Sequence, residues 1–170
     1  MHQKSRIRLG IIAASIVLLT ACGMGTTSDG TNTAGKPAGS QDQAAGIGTP
    51  VRDGKFEFVV LSVDRSKTAG NPANELEQST AQGEYINVHL SVKNIGNEAQ
   101  SYFAQNQKLI AGGKKFDAAS LLGINGDGDS LNPGLGIDNT VVSFDVPPGT
   151  TPDSIELHDS AFSGGVKVKL

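Results

Sequence analysis

The stretch Glu84-Tyr85-Ile86-Asn87-Val88-His89-Leu90-Ser91-Val92-Lys93 decides the fold. Ile86, Val88, Leu90 and Val92 alternate with Tyr85, Asn87, His89, Ser91 and Lys93. Successive side chains of a strand point to opposite faces, so this period of two predicts a strand with one buried and one wet face. Asn94-Ile95-Gly96-Asn97 then supplies turn chemistry.

Upstream, Lys55 to Asp64 is rich in the β-branched and aromatic residues that strands prefer. Phe56, Phe58 and Val60 share one parity, while Leu61 and Val63 take the other. That switch predicts a bulge near Val59-Val60, or burial of both faces. Lys67 to Gln82 is polar, contains Asn71-Pro72 and reads as a loop, with one helical turn over Asn74 to Gln78.

Downstream, Ser101 to Phe103 reads as a short strand. Lys108 to Ala111 and Lys114 to Asp117 flank Gly112-Gly113, a two-residue connection suited to a hairpin with positive φ. Thr140 to Val146 places Val142, Phe144 and Val146 on one face, and Pro147-Pro148-Gly149 ends it. Ser154 to His158 turns Ile155 and Leu157 inward, Glu156 and His158 outward. Val166, Val168 and Leu170 alternate with Lys167 and Lys169, which predicts a lysine-faced strand protecting a sheet edge. Seven or eight short strands with no long helix predict an all-β, two-sheet antiparallel sandwich over residues 49–170; an antiparallel barrel is the alternative.

The N-terminus carries a different signal. Lys4, Arg6 and Arg8 precede the apolar run Leu9 to Leu18, which is half the ~20 residues needed to span a bilayer and the length of a signal-peptide core. Leu19-Thr20-Ala21-Cys22 follows at once: an aliphatic residue, two small ones, then the chain's one cysteine. This resembles the lipobox of bacterial lipoproteins. The resemblance implies a signal peptide over residues 1–21, a diacylglyceryl group on Cys22, and cleavage that leaves Cys22 as the lipidated N-terminus. Each buried methylene contributes roughly 0.8 kcal/mol, so two acyl chains anchor stably without a membrane helix. The alternative is a plain secretory signal with an incidental Cys22.

Residues 22–48 are rich in Gly, Thr, Ser, Ala and Gln, with Met24 and Ile47 as the large apolar side chains. Such a segment buries too little surface to offset its chain entropy, which predicts a disordered tether with a reach of ~25–30 Å. Removing residues 1–21 leaves 11 basic against 17 acidic residues, a net charge of −6. With no basic run, the charge argues against nucleic acid and against electrostatic docking to anionic lipid. Lys114-Lys115 and Lys167/Lys169 read as solvated strand faces. With Cys22 lipidated, the domain holds no cysteine, so its core alone must hold it together.

Gly83-Glu84-Tyr85-Ile86-Asn87-Val88, Val92-Lys93-Asn94-Ile95-Gly96, Leu131-Asn132-Pro133-Gly134 and Val142-Ser143-Phe144-Asp145-Val146-Pro147 occur in that order. Together with the early strand Phe56 to Val63 they are similar to the immunoglobulin-like domain of the immunoprotective extracellular protein family and its domain-of-unknown-function relatives. The resemblance covers residues 50–170 and implies an immunoglobulin-like sandwich outside the cytoplasm. It carries over no catalytic or binding residue. The chain lacks the Trp and the cysteine pair of antibody-type domains.

Candidate sites are few. Asn125, Asp127 and Asp129 alternate like the first half of a calcium loop, but Ser130 stands where that loop needs Gly, and Gly136 where it needs Glu. His89 and His158 have outward parity and read as surface residues. No Gly-x-Ser-x-Gly elbow supports a hydrolase, and no phosphate cradle opens a helix. Tyr102, Phe103, Leu121, Leu122, Ile124, Leu131 and Leu135 fall in or near loops and are expected to cap the core. The expectation is a non-catalytic, lipid-anchored extracytoplasmic lipoprotein without a cofactor, held to the membrane through Cys22 and serving an envelope partner; a small-ligand- or calcium-binding lipoprotein is the alternative.

Overall fold

The computed structural model describes residues 45–170. The expected leader, the expected lipobox with Cys22, and residues 22–44 of the expected tether lie outside the described residues.

Strands β1 (Ala45–Gly46), β2 (Val51–Asp53), β3 (Phe56–Gly70), β4 (Gln78–Asn94), β5 (Gln100–Ser101) and β6 (Lys108–Ala111) come first. Then come β7 (Lys114–Asp117), β8 (Ser130–Leu131), β9 (Gly136–Val146), β10 (Ser154–Leu157) and β11 (Val166–Lys169). One sheet has the order β2-β3-β4-β9, the other β1-β11-β10-β6-β7, and β5-β8 forms a small ladder. The architecture is the predicted two-sheet sandwich. Segments of two or three residues, which carry no readable periodicity, raise the strand number above eight.

β3 and β4 form the central hairpin, and it is longer than expected. Thr68, Ala69 and Gly70 pair with Thr80, Ser79 and Gln78, so most of the predicted loop 67–82 is a ribbon. Its side chains are mostly polar, with Ala81 buried among them, and the backbone ladder forms regardless of polarity. The connection narrows to residues 71–77, where Asn74 caps a 3-10 turn (Glu75–Glu77) by accepting from the Leu76 N–H at 3.1 Å. The parity switch is a bulge: the register shifts between Val60 and Ser62, and Leu61 is turned outward, 44% exposed.

Two boundaries differ from expectation. Among the described residues the sheet pairing already includes residues ahead of the expected start at Thr49, because Ala45 and Gly46 pair in parallel with Val168 and Lys169. An Ala-Gly pair offers backbone groups and no strand signature, so this was unreadable in the sequence. Consequently β11 is flanked by β1 and β10 and is not the bare edge its lysines suggested. The sheet ends instead at β7, where the Gly112-Gly113 turn has φ of 55° and 73°, the positive values a tight hairpin requires.

The core is built from both inner faces. Phe56, Phe58, Val60, Ile86, Val88, Leu90, Val92, Val142 and Phe144 meet Leu109, Ile155, Leu157 and Val168. Each such side chain contributes roughly 1.5–3 kcal/mol on burial. Tyr102 fills the centre, edge-on to Phe56 with ring centroids 6.2 Å apart. The other loop residues divide: Leu131 is buried and Ile124 packs at the core margin, whereas Phe103, Leu122 and Leu135 are exposed. The free side of β9 is covered by the segment after β7, since the Ala119 N–H donates to the Ser143 carbonyl at 2.8 Å and Asn125 Nδ2 to the Asp138 carbonyl at 3.1 Å.

Candidate functional site

The outward parity of β3, β4 and β9 was expected to be wet, yet it carries a hydrogen-bonded cluster. Asn87 Nδ2 donates to Asp64 Oδ1 at 2.8 Å and to Ser66 Oγ at 2.9 Å, and Ser143 Oγ donates to Asn87 Oδ1 at 2.8 Å. Asn87 and Ser143 are consequently buried. One residue pair along, His89 Nε2 lies 2.5 Å from Asp64 Oδ2, and its Nδ1 lies 2.9 Å from Asn139 Oδ1. Asn139 is held at φ 57°, a left-handed value that Asn tolerates better than most residues. Three strands are thereby tied on their outer face.

Burial alone would raise the Asp64 carboxyl. The hydrogen bonds from Asn87 and His89, with the attraction of the imidazole, outweigh it and hold the group below the usual carboxylate range. Above this floor lies a groove of about 260 Å³. Val141, Ile124, Ala69 and Pro72 line it together with the polar cluster. The result is a small cleft with apolar walls and a polar floor that offers Asp64 oxygens to a donor.

The sequence marked His89 as a surface residue and passed over Asp64, Asn87, Asn139 and Ser143. The partners of Asn87 lie 23 and 56 positions away, so no local pattern reveals the cluster. A fully polar outward parity on the best strand was the one available hint.

The hydroxyls and the imidazole of this cluster are engaged with other oxygens. Both ring nitrogens of His89 face oxygen acceptors, Ser66 Oγ donates to the Thr68 carbonyl, and Ser143 Oγ to Asn87. His158 does meet a serine and a carboxylate: Ser163 Oγ is 3.3 Å from Nδ1, and Glu156 Oε2 is 3.8 Å from Nε2. Ser163 Oγ donates to the Ser160 carbonyl, however, and Glu156 is taken by Lys115 Nζ at 2.5 Å. The serine and carboxylate also sit on the wrong nitrogens for a hydrolase triad.

One further expectation changes here. Glu156, predicted outward and solvated, is 8% exposed because Lys115, Lys167 and His158 close over it. Its hydrogen bond from Lys115 holds the carboxyl below the ordinary range against the opposing effect of burial. In the calcium-like loop, Asp127 Oδ1 accepts the Ala104 N–H at 2.7 Å, and Asn125 Nδ2 is committed to Asp138. Among the described residues no group of three acidic, His or Cys side chains is placed to hold a metal ion.

Fold and groove together define a β-sandwich with a small polar cleft on the outer face of its four-stranded sheet. The chain belongs to the family described as Domain of unknown function (DUF4352), whose model matches residues 45–168. Among solved structures it is similar to the yjhA protein from Bacillus subtilis, at 18% identity and a TM-score of 0.55, over 74% of this chain and 99% of that one. It is also similar to MPT63, a secreted protein from Mycobacterium tuberculosis, at 11% identity and a TM-score of 0.56, over 75% and 96% of the two chains. An uncharacterized β-sandwich protein from Clostridium difficile 630 matches at 12% identity and a TM-score of 0.50, over 79% and 99%. No curated protein sequence matches the chain. These likenesses bear on the fold alone.

Proposed function

We propose that the protein is a lipid-anchored, extracytoplasmic lipoprotein whose sandwich is a non-catalytic binding module, with the Asp64–His89 groove as its ligand site. The observation that carries this reading is the groove floor itself. Its side chains bind one another, which fixes their geometry, while the outward lone pairs of Asp64 stay available to a donor. A rigid floor with spare acceptor capacity suits recognition rather than reaction.

The ligand class that fits is a small molecule or peptide end carrying an ammonium or several hydroxyls, with an apolar edge for Val141 and Ile124. Support for the location comes from the leader, the Leu19–Cys22 lipobox, and a fold that MPT63, itself described as secreted, also has. Replacing Cys22 with Ala releases the protein from membranes on this reading; full retention would sink the anchor. For the groove, NMR titration with amino acids, polyamines and monosaccharides should shift Asn87 and His89 signals, and Asp64→Asn should abolish the shift. No shift with any of them would count against the site.

A second reading, an envelope protein as partner, has one observation in its favour. Leu76 and Leu122, 91% and 70% exposed, line one small depression where the β3–β4 turn meets the long loop. Exposed leucines at a loop tip are ordinary contact material for a protein partner.

A further inference from the structure

Lysines that are remote in the sequence become one surface in the fold. Across the outer face of the five-stranded sheet, Lys167, Glu156, Lys108 and Asp117 stand in one cross-strand row. Lys169, Ser154, Ile110 and Lys115 stand in the next. Neighbouring strands lie ~4.8 Å apart, so four lysines share a span of ~15 Å, with His158 at the margin.

The two acids on this face do not cancel it. Glu156 is recessed beneath Lys115 and Lys167, and Asp117 is paired with Lys108 at the sheet edge. Four lysines against two acids leave a local charge of +2, in a domain whose residues 45–170 hold ten Lys and Arg against fifteen Asp and Glu, or −5. The outer face of the other sheet carries Glu57, Asp64, Asp138 and Asp145 against Arg52 and Lys93, a local charge of −2. The sandwich is therefore electrically two-faced, which the absence of a basic run concealed.

We propose that this lysine face docks on the surface of an anionic phospholipid bilayer. The occupant follows from the charge and from the strand that neighbours this face. β1 is hydrogen-bonded to β11, the strand bearing Lys167 and Lys169, so the chain enters the domain beside this face. The inference rests on the anchor reading: with Cys22 in the bilayer, 22 residues separate it from Ala45, and a Gly-rich sequence of that length can span roughly 25 Å, enough to lay the face on the headgroups. A patch too weak to hold alone becomes effective at the millimolar local concentration that a short tether imposes.

The test uses a chain starting at residue 22 with Cys22→Ala, which keeps every residue of the sandwich and has no lipid. It is sedimented with vesicles of phosphatidylcholine alone or mixed equally with phosphatidylglycerol. Binding is expected to the anionic vesicles only, and to vanish at 0.5 M salt. Lys167→Gln with Lys169→Gln should lower the partition constant about fivefold per lysine, with an unchanged melting curve, while Lys93→Gln on the other sheet leaves it unaltered. No anionic preference, or equal losses from the Lys93 and Lys167/Lys169 variants, would overturn the proposal. So would binding to inorganic polyphosphate but not to vesicles, which would assign the face to a wall polymer. Because no acyl chain is present, failure here leaves the Cys22 anchor standing, and release by Cys22→Ala in cells tests that separately.

Discussion

Asp53 and Asp159 are bound to each other's backbone neighbourhood. Asp53 Oδ2 accepts the Asp159 N–H at 2.8 Å, and Asp159 Oδ2 accepts the Lys55 N–H at 3.2 Å. Asp53 Oδ1 also accepts the Gly165 N–H at 3.1 Å, so one carboxylate ties β2 of the first sheet to the loop between β10 and β11 of the second. Asp53→Ala leaves those N–H groups without protein acceptors. It should cost about 1–3 kcal/mol in a urea melt, and Asp53→Asn distinctly less. Equal losses for both would show that the carboxylate oxygens are not the cause.

Tyr102 gives a prediction of opposite sign. Its ring fills the core, but its hydroxyl has no hydrogen-bond partner among the described residues. Burial, with the charge of Asp127 adding to it, pushes that hydroxyl far above the usual tyrosine range. Tyr102→Phe keeps the ring and removes the orphan, so it should stabilise the fold by about 1 kcal/mol. Tyr102→Ala should cost roughly 3–5 kcal/mol through the cavity it leaves. A lower melting temperature for the Phe variant would mean that a partner binds the hydroxyl in solution.

Acid should destabilise the domain through two named carboxylates. Asp64 and Glu156 are both held below their ordinary values, so the native state binds fewer protons than the unfolded one. Their contribution is complete above the unfolded values and is lost as pH falls through the folded ones. Stability measured by denaturant titration should therefore decline from about pH 4.5 downward. Asp64→Asn with Glu156→Gln should flatten that decline; an unchanged slope would assign it to other acids.

Gly83 lies on β4 where the backbone of β9 comes closest. A β-carbon there would stand 2.0 Å from the Val146 carbonyl oxygen, a backbone atom that cannot swing aside. Gly83→Ala should part the two strands locally, lowering the melting temperature by several degrees for each kcal/mol lost. Amide exchange at Glu84 and Val146 would localise the damage; unaltered exchange there would contradict it.

How much of this was legible varies with distance along the chain. The period-two run from Ile86 to Val92 and the Gly112-Gly113 turn are local patterns that appear as read, and the helical turn read over Asn74 to Gln78 appears as the 3-10 turn Glu75–Glu77. The fate of Lys67 to Gln82 was not legible, because a mostly polar ribbon has the same composition as a loop. Glu156 and Asn87 defeated parity for another reason: each faces outward, but side chains from other strands cover it. The groove and the lysine face are products of strand order, which no single stretch encodes.

β1 holds to β11 by two parallel rungs, and this gives the domain a mechanical character. A load drawn along the chain ahead of Ala45 meets those rungs first, then the Gly48 N–H bond to the Val60 carbonyl, and only then Val51 in β2. Residues 45–50 would thus peel away and lengthen the chain by about 20 Å while the packed interior stays shut. In a pulling experiment this is a small yielding step ahead of the main rupture; a single rupture with no precursor would show that the rungs break together with the core. A protein tugged from its N-terminal side would then give a little before it unfolds.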